Sequence, residues 1–247
     1  MSFYSELSRV YDVVFPLNSM TLSFLEKDLS KGARMLDLAC GRGAYSIALS
    51  EKGYDIYALD LDGEMIRGLK EKAATGNLAL KAYEGNMTEV KELIMENFHR
   101  IFCIGNSLVH LKKPSEILKL LTDLHSLLED GGDLIIQIVN YDRILDKEIK
   151  SLPTLTGRSP SEEEVIFHRN YSFIDDNTVS FDTELIIKTE DTTNIYKNSI
   201  PLLALRKDEL VKLLHECGFS NICCYGSFNF APFTPSESFP LIIKAAK

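Results

Sequence analysis

Two segments of the sequence carry residue types suited to holding a nucleoside. The first is Leu36-Asp-Leu-Ala-Cys-Gly-Arg-Gly43, between a strand-like run and a helical pattern. Glycine at 41 and 43 lets the backbone approach a ligand without a Cβ in the way. A helix start just beyond offers free N–H groups to an anionic group. The same glycines would also serve a tight strand-to-helix turn that binds nothing. The second segment ends in Asp60, 17 residues after Gly43. In a parallel sheet both positions meet at the carboxyl edge, where such folds bind ligands. A carboxylate there accepts hydrogen bonds from both ribose hydroxyls, each contributing about 1.5–3 kcal/mol, and repels a 2′-phosphate. Leu61 and Met65 follow, placed to cover an adenine face. The plainer alternative is that Asp60 or Asp62 only caps a helix. A dinucleotide fingerprint needs a third glycine at 46, and the chain has Ser46. The acidic Asp37 is also unlike the nicotinamide pattern.

These residues need a frame. Through residue 150, short apolar runs alternate with helical patterns. Arg34 to Ala39, Asp55 to Asp60, Leu78 to Glu84, Arg100 to Gly105 and Asp133 to Val139 read as strands. Such runs between helices indicate a parallel sheet covered on both faces. Ser115 to Leu128 carries a leucine stripe at helical spacing, with Ser115 as the expected N-cap and Gly131-Gly132 ending the unit. The pattern then changes. Residues 151–161 read as a Pro/Ser/Thr/Gly loop. Three β-rich runs follow, Glu164 to Ile174, Thr178 to Thr189 and Thr193 to Pro201. Arg206 to Cys217 returns to helix, stopped by Gly218, and Ile222 to Phe228 and Leu241 to Ala245 can close the sheet. The expected fold is α/β: a Rossmann-like, doubly wound, mostly parallel seven-stranded sheet with a small antiparallel β insertion. Residues 1–150 and 202–247 would form the core, and 151–201 a lobe emerging at the ligand-binding edge to cover the acceptor pocket.

Composition narrows the partners. The 247 residues carry a net charge of −9 and no dense Lys/Arg cluster, so nucleic acid is not expected as a substrate. No run of about 18 apolar residues exists, so no membrane span is expected. Met1 to Tyr11 has no apolar h-region and does not read as a secretory signal. Five cysteines without a C-x-x-C pair, and five scattered histidines, fit a reducing cytoplasm without disulfides or metal. A monomer or a homodimer is equally compatible.

The motifs together resemble those of class I S-adenosylmethionine-dependent methyltransferases. Met35-Leu-Asp-Leu-Ala-Cys-Gly-Arg-Gly43 and Ala58-Leu-Asp-Leu-Asp-Gly-Glu-Met65 look like that family's first two motifs. Glu84-Gly-Asn-Met87 resembles the third, with Asn86 where Asp is usual; its amide oxygen can still accept a bond from an adenine amino group. A finer resemblance is to the glycine N-methyltransferases. It lies in Ile104-Gly-Asn-Ser-Leu-Val-His-Leu111, in Asn140-Tyr-Asp-Arg-Ile-Leu145 and in Tyr11-Asp12. The resemblance implies S-adenosylmethionine as cofactor, held by Tyr11, Asp37, Ala39, Gly41 and Asp60, then Leu61, Met65, Asn86, Met87 and Ile104. It implies Asn106 at the acceptor and His110 near the cofactor; Tyr141 is expected beside Asn106 at the acceptor, and His110 and Tyr141 are the expected catalytic side chains. His110 otherwise reads as a packed histidine at a helix start.

One position departs. The resemblance leads to an arginine before Asn140-Tyr-Asp, gripping a glycine carboxylate, and the chain has Val139. An aliphatic side chain cannot form that bidentate pair. Arg143 or Arg169 could substitute, Arg169 being better placed in the inserted meander. The expected reaction is in-line methyl transfer to N or O of a small molecule. Glycine is not expected as the acceptor, and one with an apolar or uncharged end would suit Val139. Alternatives are a methyltransferase of protein or RNA, which a basic surface around the pocket would support, and a non-catalytic cofactor-binding regulator.

Overall fold

Near-continuous apolar strands require cover on both faces, and helices supply it in the computed structural model, which describes residues 3–247. Met1 and Ser2, part of the N-terminal stretch read above, lie outside the described residues. Helices α1 (Phe3–Val14) and α2 (Ser19–Glu26) precede β1 (Arg34–Leu38). Then come α3 (Ala44–Glu51), β2 (Asp55–Asp60), α4 (Gly63–Thr75), β3 (Lys81–Glu84) and the short α5 (Val90–Leu93). They are followed by β4 (Phe98–Cys103), α6 (Pro114–Leu127), β5 (Leu128–Val139) and α7 (Tyr141–Asp146). After these the alternation stops. Strands β6 (Ser151–Arg158), β7 (Glu164–Asp175), β8 (Thr178–Lys188) and β9 (Thr193–Leu203) come in succession, before α8 (Lys207–Glu216), β10 (Ser220–Tyr225) and β11 (Pro240–Ala246).

The result is a seven-stranded sheet in the order β10-β11-β5-β4-β1-β2-β3 and a four-stranded sheet in the order β6-β7-β8-β9. In the large sheet β11 is antiparallel to β5 and β10, and the pairs from β5 to β3 are parallel. Its strands bury Leu36, Leu38, Leu59 and Ile101 on one side, and Met35, Ile56, Phe102 and Ile135 on the other. That is the double cover the sequence implied. The four-stranded sheet is an antiparallel meander, and α1 packs Leu7, Val10 and Val14 against its Val165, Phe167, Leu185 and Ile187.

Several local expectations change. The segment at 151–161, expected as a loop, begins with strand β6. Pro153 is tolerated because β6 is an edge strand and its pairing with β7 shifts register between Leu152 and Leu155. The meander therefore has four strands instead of three. The N-cap of α6 is Lys113, with Pro114 in the first turn, where its missing N–H is harmless. Glu116 accepts the Lys112 and Lys113 N–H groups at 3.0 and 3.2 Å. Strand β5 starts at Leu128, before Gly131-Gly132, and β3 starts only at Lys81, because the Leu78 N–H is spent closing α4 on the Ala73 carbonyl.

Candidate functional site

The site grows from the loop after β1. Ala39, Gly41 and Gly43 all have positive φ, at 62°, 55° and 72°. Two of them need glycine. A Cβ on Gly43 would overlap the Leu69 side chain, and one on Gly41 would come within 3.1 Å of the Tyr11 ring. The Gly41 N–H donates to Asp60 Oδ2 at 2.7 Å, and the Asp62 N–H donates to Asp60 Oδ1 at 2.9 Å. Asp62 caps α4 by accepting from Glu64 and Met65. Burial raises the Asp60 pKa, while the backbone donors of Asp62 and Gly41 oppose the rise.

Behind this loop lies Asp37. It is buried and accepts a 2.6 Å bond from the Ser46 hydroxyl. Burial lifts its pKa to about 7 despite that bond, with a smaller contribution from Asp60. Ser46 thus has a structural reason to replace the third glycine of a dinucleotide loop: it hydrogen-bonds a buried carboxyl group.

A cavity of about 640 Å³ opens above the loop. Ala39, Gly41, Asp60, Leu61 and Met65 form one wall, and Leu61 is 69% exposed into the open space. Asn86 and Met87 continue it; the Asn86 oxygen accepts the Thr88 N–H at 3.0 Å, turning the chain there. Gly105, Ser107 and His110 stand at the β4 end, and Tyr11 lies across the glycine loop from α1. His110 is exposed on the cavity wall, and desolvation lowers its pKa. Burial raises the Tyr11 pKa, with Asp60 adding to it, so its hydroxyl stays protonated.

Other expected site residues do not line the cavity. Asp37 sits behind the loop. Ile104 packs with the cluster around Phe102 and Leu25. Asn106, held at φ 70°, spends its carboxamide on the scaffold: Oδ1 accepts the Val139 N–H at 2.8 Å, and Nδ2 donates to Tyr141 Oη at 3.1 Å. Tyr141 is fully buried, and burial holds its pKa well above the ordinary value. Its place is next to Asn106, not at the cavity surface. Arg143 lies on α7 and also stays outside the lining. Arg169 lies on β7, with Nη2 donating to the Pro153 carbonyl at 2.8 Å and a buried Nε that has no hydrogen-bond partner.

Half of the wall was not anticipated. Phe3, Tyr4 and Leu7 come from α1 and Phe15 directly follows it; Phe167, Phe181, Thr183 and Asn198 come from the second sheet. The period-two alternation of β7 to β9 marks their inward face, but only the fold shows what that face meets. Helix α1 is tied to both sides. Asp12 accepts from Lys72 at 2.6 Å, the Ser8 carbonyl accepts from Arg42 at 3.0 Å, and Asn198 donates to Tyr4 Oη at 3.1 Å.

Residues 35–132 match a family model described as a methyltransferase domain. Among curated proteins, the chain is 34% identical to a glycine/sarcosine N-methyltransferase from Aphanothece halophytica, over 79% of this chain and 69% of that one. It is 31% identical to another of that name from Halorhodospira halochloris, over 83% and 72%. Among solved structures, an S-adenosylmethionine-dependent methyltransferase from Clostridium acetobutylicum ATCC 824 superposes with a TM-score of 0.80 at 18% identity, covering 98% of each chain. That last likeness speaks to the fold. With the glycine loop and Asp60 joined at the sheet edge and the sequence relatives spanning both sheets, the chain belongs to the class I S-adenosylmethionine-dependent methyltransferases, in the group that includes the glycine/sarcosine N-methyltransferases.

Proposed function

We propose that this enzyme methylates the nitrogen of a small amine inside the cavity between its two sheets. The carrying observation is that the Gly41–Asp60 wall and the aromatic face of the second sheet enclose one space, with His110 between them. The residues present fit S-adenosylmethionine. Gly41 brings bare backbone to the cavity wall, and Gly43 lets the loop turn tightly over Leu69. Each Asp60 oxygen retains acceptor capacity for a ribose hydroxyl beyond its one backbone bond. Leu61, Met65 and Met87 offer apolar cover for an adenine, with the Asn86 carboxamide beside them. When bound, that cofactor supplies an already activated methyl group.

The protein's own tasks are then orientation, exclusion of water and removal of a proton from the acceptor amine. Holding reactants in register contributes roughly 7–11 kcal/mol in well-aligned intramolecular cases. His110 faces the cavity and its lowered pKa keeps it neutral near pH 7, so its free ring nitrogen can accept the amine proton. Asn106 and Tyr141 act from behind the wall, fixing the end of β5 against the loop after β4. In this reading residues 1–150 with 202–247 hold the cofactor and 151–201 form the covering lobe that sets acceptor choice. No helix of the described residues is long and apolar enough to cross a membrane. A cytoplasmic location is proposed from the five free cysteines. A small molecule, with no nucleic acid, is the proposed partner, given the net charge of −9. A screen of small amines, acids and phenols for S-adenosylhomocysteine formation tests the reading. Turnover of phenols but of no amine would overturn the choice of nitrogen.

A further inference from the structure

We propose that a polar row across the inner face of the second sheet is the acceptor-orienting subsite, and that it takes the carboxylate of an amine carried on an apolar body larger than glycine. The proposal rests on the methyl-transfer reading of the cavity. In the sheet register Arg169 pairs with Thr183, and Thr183 pairs with Asn198. These three side chains therefore form one line across β7, β8 and β9. Because side chains two residues apart share a face, Phe167 and Leu185 lie on one side of the line, and Tyr171 and Phe181 on the other. Thr183 and Asn198 line the cavity directly, as do Phe167 and Phe181, and Arg169 stands next to Thr183 just behind that lining.

The two ends of the row differ. At one end Asn198 is tied to Tyr4. At the other, Arg169 donates to a backbone carbonyl, its Nε is buried without a partner, and among the described residues no carboxylate pairs with it. The Tyr171 hydroxyl beside it is also buried; it lies close enough to Tyr141 to affect its ionisation, yet makes no hydrogen bond of normal geometry. A partly buried guanidinium with an unused donor is a costly arrangement unless an anion completes it. A carboxylate matches its fork of donors, and the Thr183 hydroxyl stands next in the row. The end of β5 offers no rival cation, since Val139 is aliphatic and its N–H is spent on Asn106. The cation that grips the acceptor is thus on the covering sheet, and the aromatic rows beside it hold a carbon body that glycine lacks.

The test compares wild type with Arg169→Met, a near-isosteric loss of charge, using L-phenylalanine, L-phenylalaninamide and phenethylamine. Calorimetry reads S-adenosylmethionine affinity and the binding of each probe to the S-adenosylhomocysteine complex; product formation gives kcat and KM. The expected result is that wild type favours phenylalanine. Arg169→Met should weaken its binding and raise its KM at least tenfold, with unchanged cofactor affinity and unchanged binding of the two neutral-ended probes. Arg169→Lys, which keeps the charge but not the fork, should lose less, and it carries the test if the methionine variant does not fold. Preference for either neutral-ended probe, equal losses for all three, or no carboxylate-dependent binding in wild type overturns the subsite. Failure of the wild type to bind S-adenosylmethionine would instead sink the methyl-transfer reading itself.

Discussion

Gly41 donates its backbone N–H to Asp60 Oδ2 at 2.7 Å, so the loop after β1 and the carboxylate ending β2 form one unit. Asp60 therefore shapes the glycine loop, and in the proposed reading its remaining lone pairs accept from a ribose. Asp60→Ala is expected to weaken S-adenosylmethionine binding about tenfold or more, the scale of losing one or two charge-assisted bonds. Calorimetric titration checks this. Unchanged affinity in the variant, or tighter binding of NAD than of S-adenosylmethionine by the wild type, would remove Asp60 from the assigned role.

Asp37 gives a prediction of opposite character, because its carboxyl group is buried and meets one hydroxyl. Its folded pKa of about 7 lies above the ordinary aspartate value of 3.8. The folded state therefore binds the proton more tightly than the unfolded chain. Stability from this group is fully present below about pH 4 and is lost as pH rises toward and through 7. Asp37→Asn keeps an acceptor for Ser46 and removes the titration. The variant should lose less Tm than wild type between pH 5 and 8 and be the more stable protein at pH 8. Parallel Tm curves for the two proteins would show that Asp37 does not titrate in this range.

The wall built on the glycine loop was legible in the sequence because its parts are local. Gly41, Gly43, Asp60 and Met65 lie at strand ends and helix starts whose positions the apolar runs already fix. The wall on the second sheet was less so. Phe181 and Asn198 are ordinary inward residues of a meander, and Tyr4 is an aromatic on an amphipathic helix. Their role depends on how the second sheet docks, which no local spacing encodes. The sequence expectation also placed Asn106 and Tyr141 at the acceptor, whereas each one's polar group is bonded to the other. Strand β6 was missed for a different reason. Its Pro153 and Gly157 signal a loop, but an edge strand tolerates both.

His110 is expected to shape the acidic limb of the pH–rate profile. Its pKa lies below 6.5 through desolvation alone, so it is neutral at pH 7 and becomes protonated as pH falls. A protonated imidazole cannot accept the amine proton, and kcat/KM should fall on the acidic side. General-base catalysis typically contributes 10²–10⁴-fold, so His110→Asn should lower kcat by about a hundredfold and leave cofactor affinity in place. Asn retains polarity at the cavity wall, which separates proton transfer from packing. An unchanged kcat, or a loss confined to KM, would assign His110 to binding alone.

Glycine and sarcosine are expected to be poor acceptors, and the reason lies at the end of β5. Val139 occupies the position where the family resemblance leads to an arginine, and it is buried with its N–H bonded to Asn106 Oδ1 at 2.8 Å. Arg143, four residues on, stands on α7 outside the cavity lining. A glycine carboxylate placed at the β5 end would meet no cation. Removing one partner of a buried charge pair costs about 3–5 kcal/mol, more than a hundredfold in affinity. Moving glycine to Arg169 on the opposite sheet would not restore it, because a two-carbon acceptor leaves the space between Phe167 and Phe181 unfilled. Steady-state assays should therefore give glycine and sarcosine a kcat/KM at least tenfold below that of an amine with a larger apolar body. Val139→Arg, which rebuilds the cation at the strand end, should narrow that gap. Efficient glycine methylation by the wild type, at a micromolar to low millimolar KM, would show that the cavity grips the smallest amino acid without a cation at position 139.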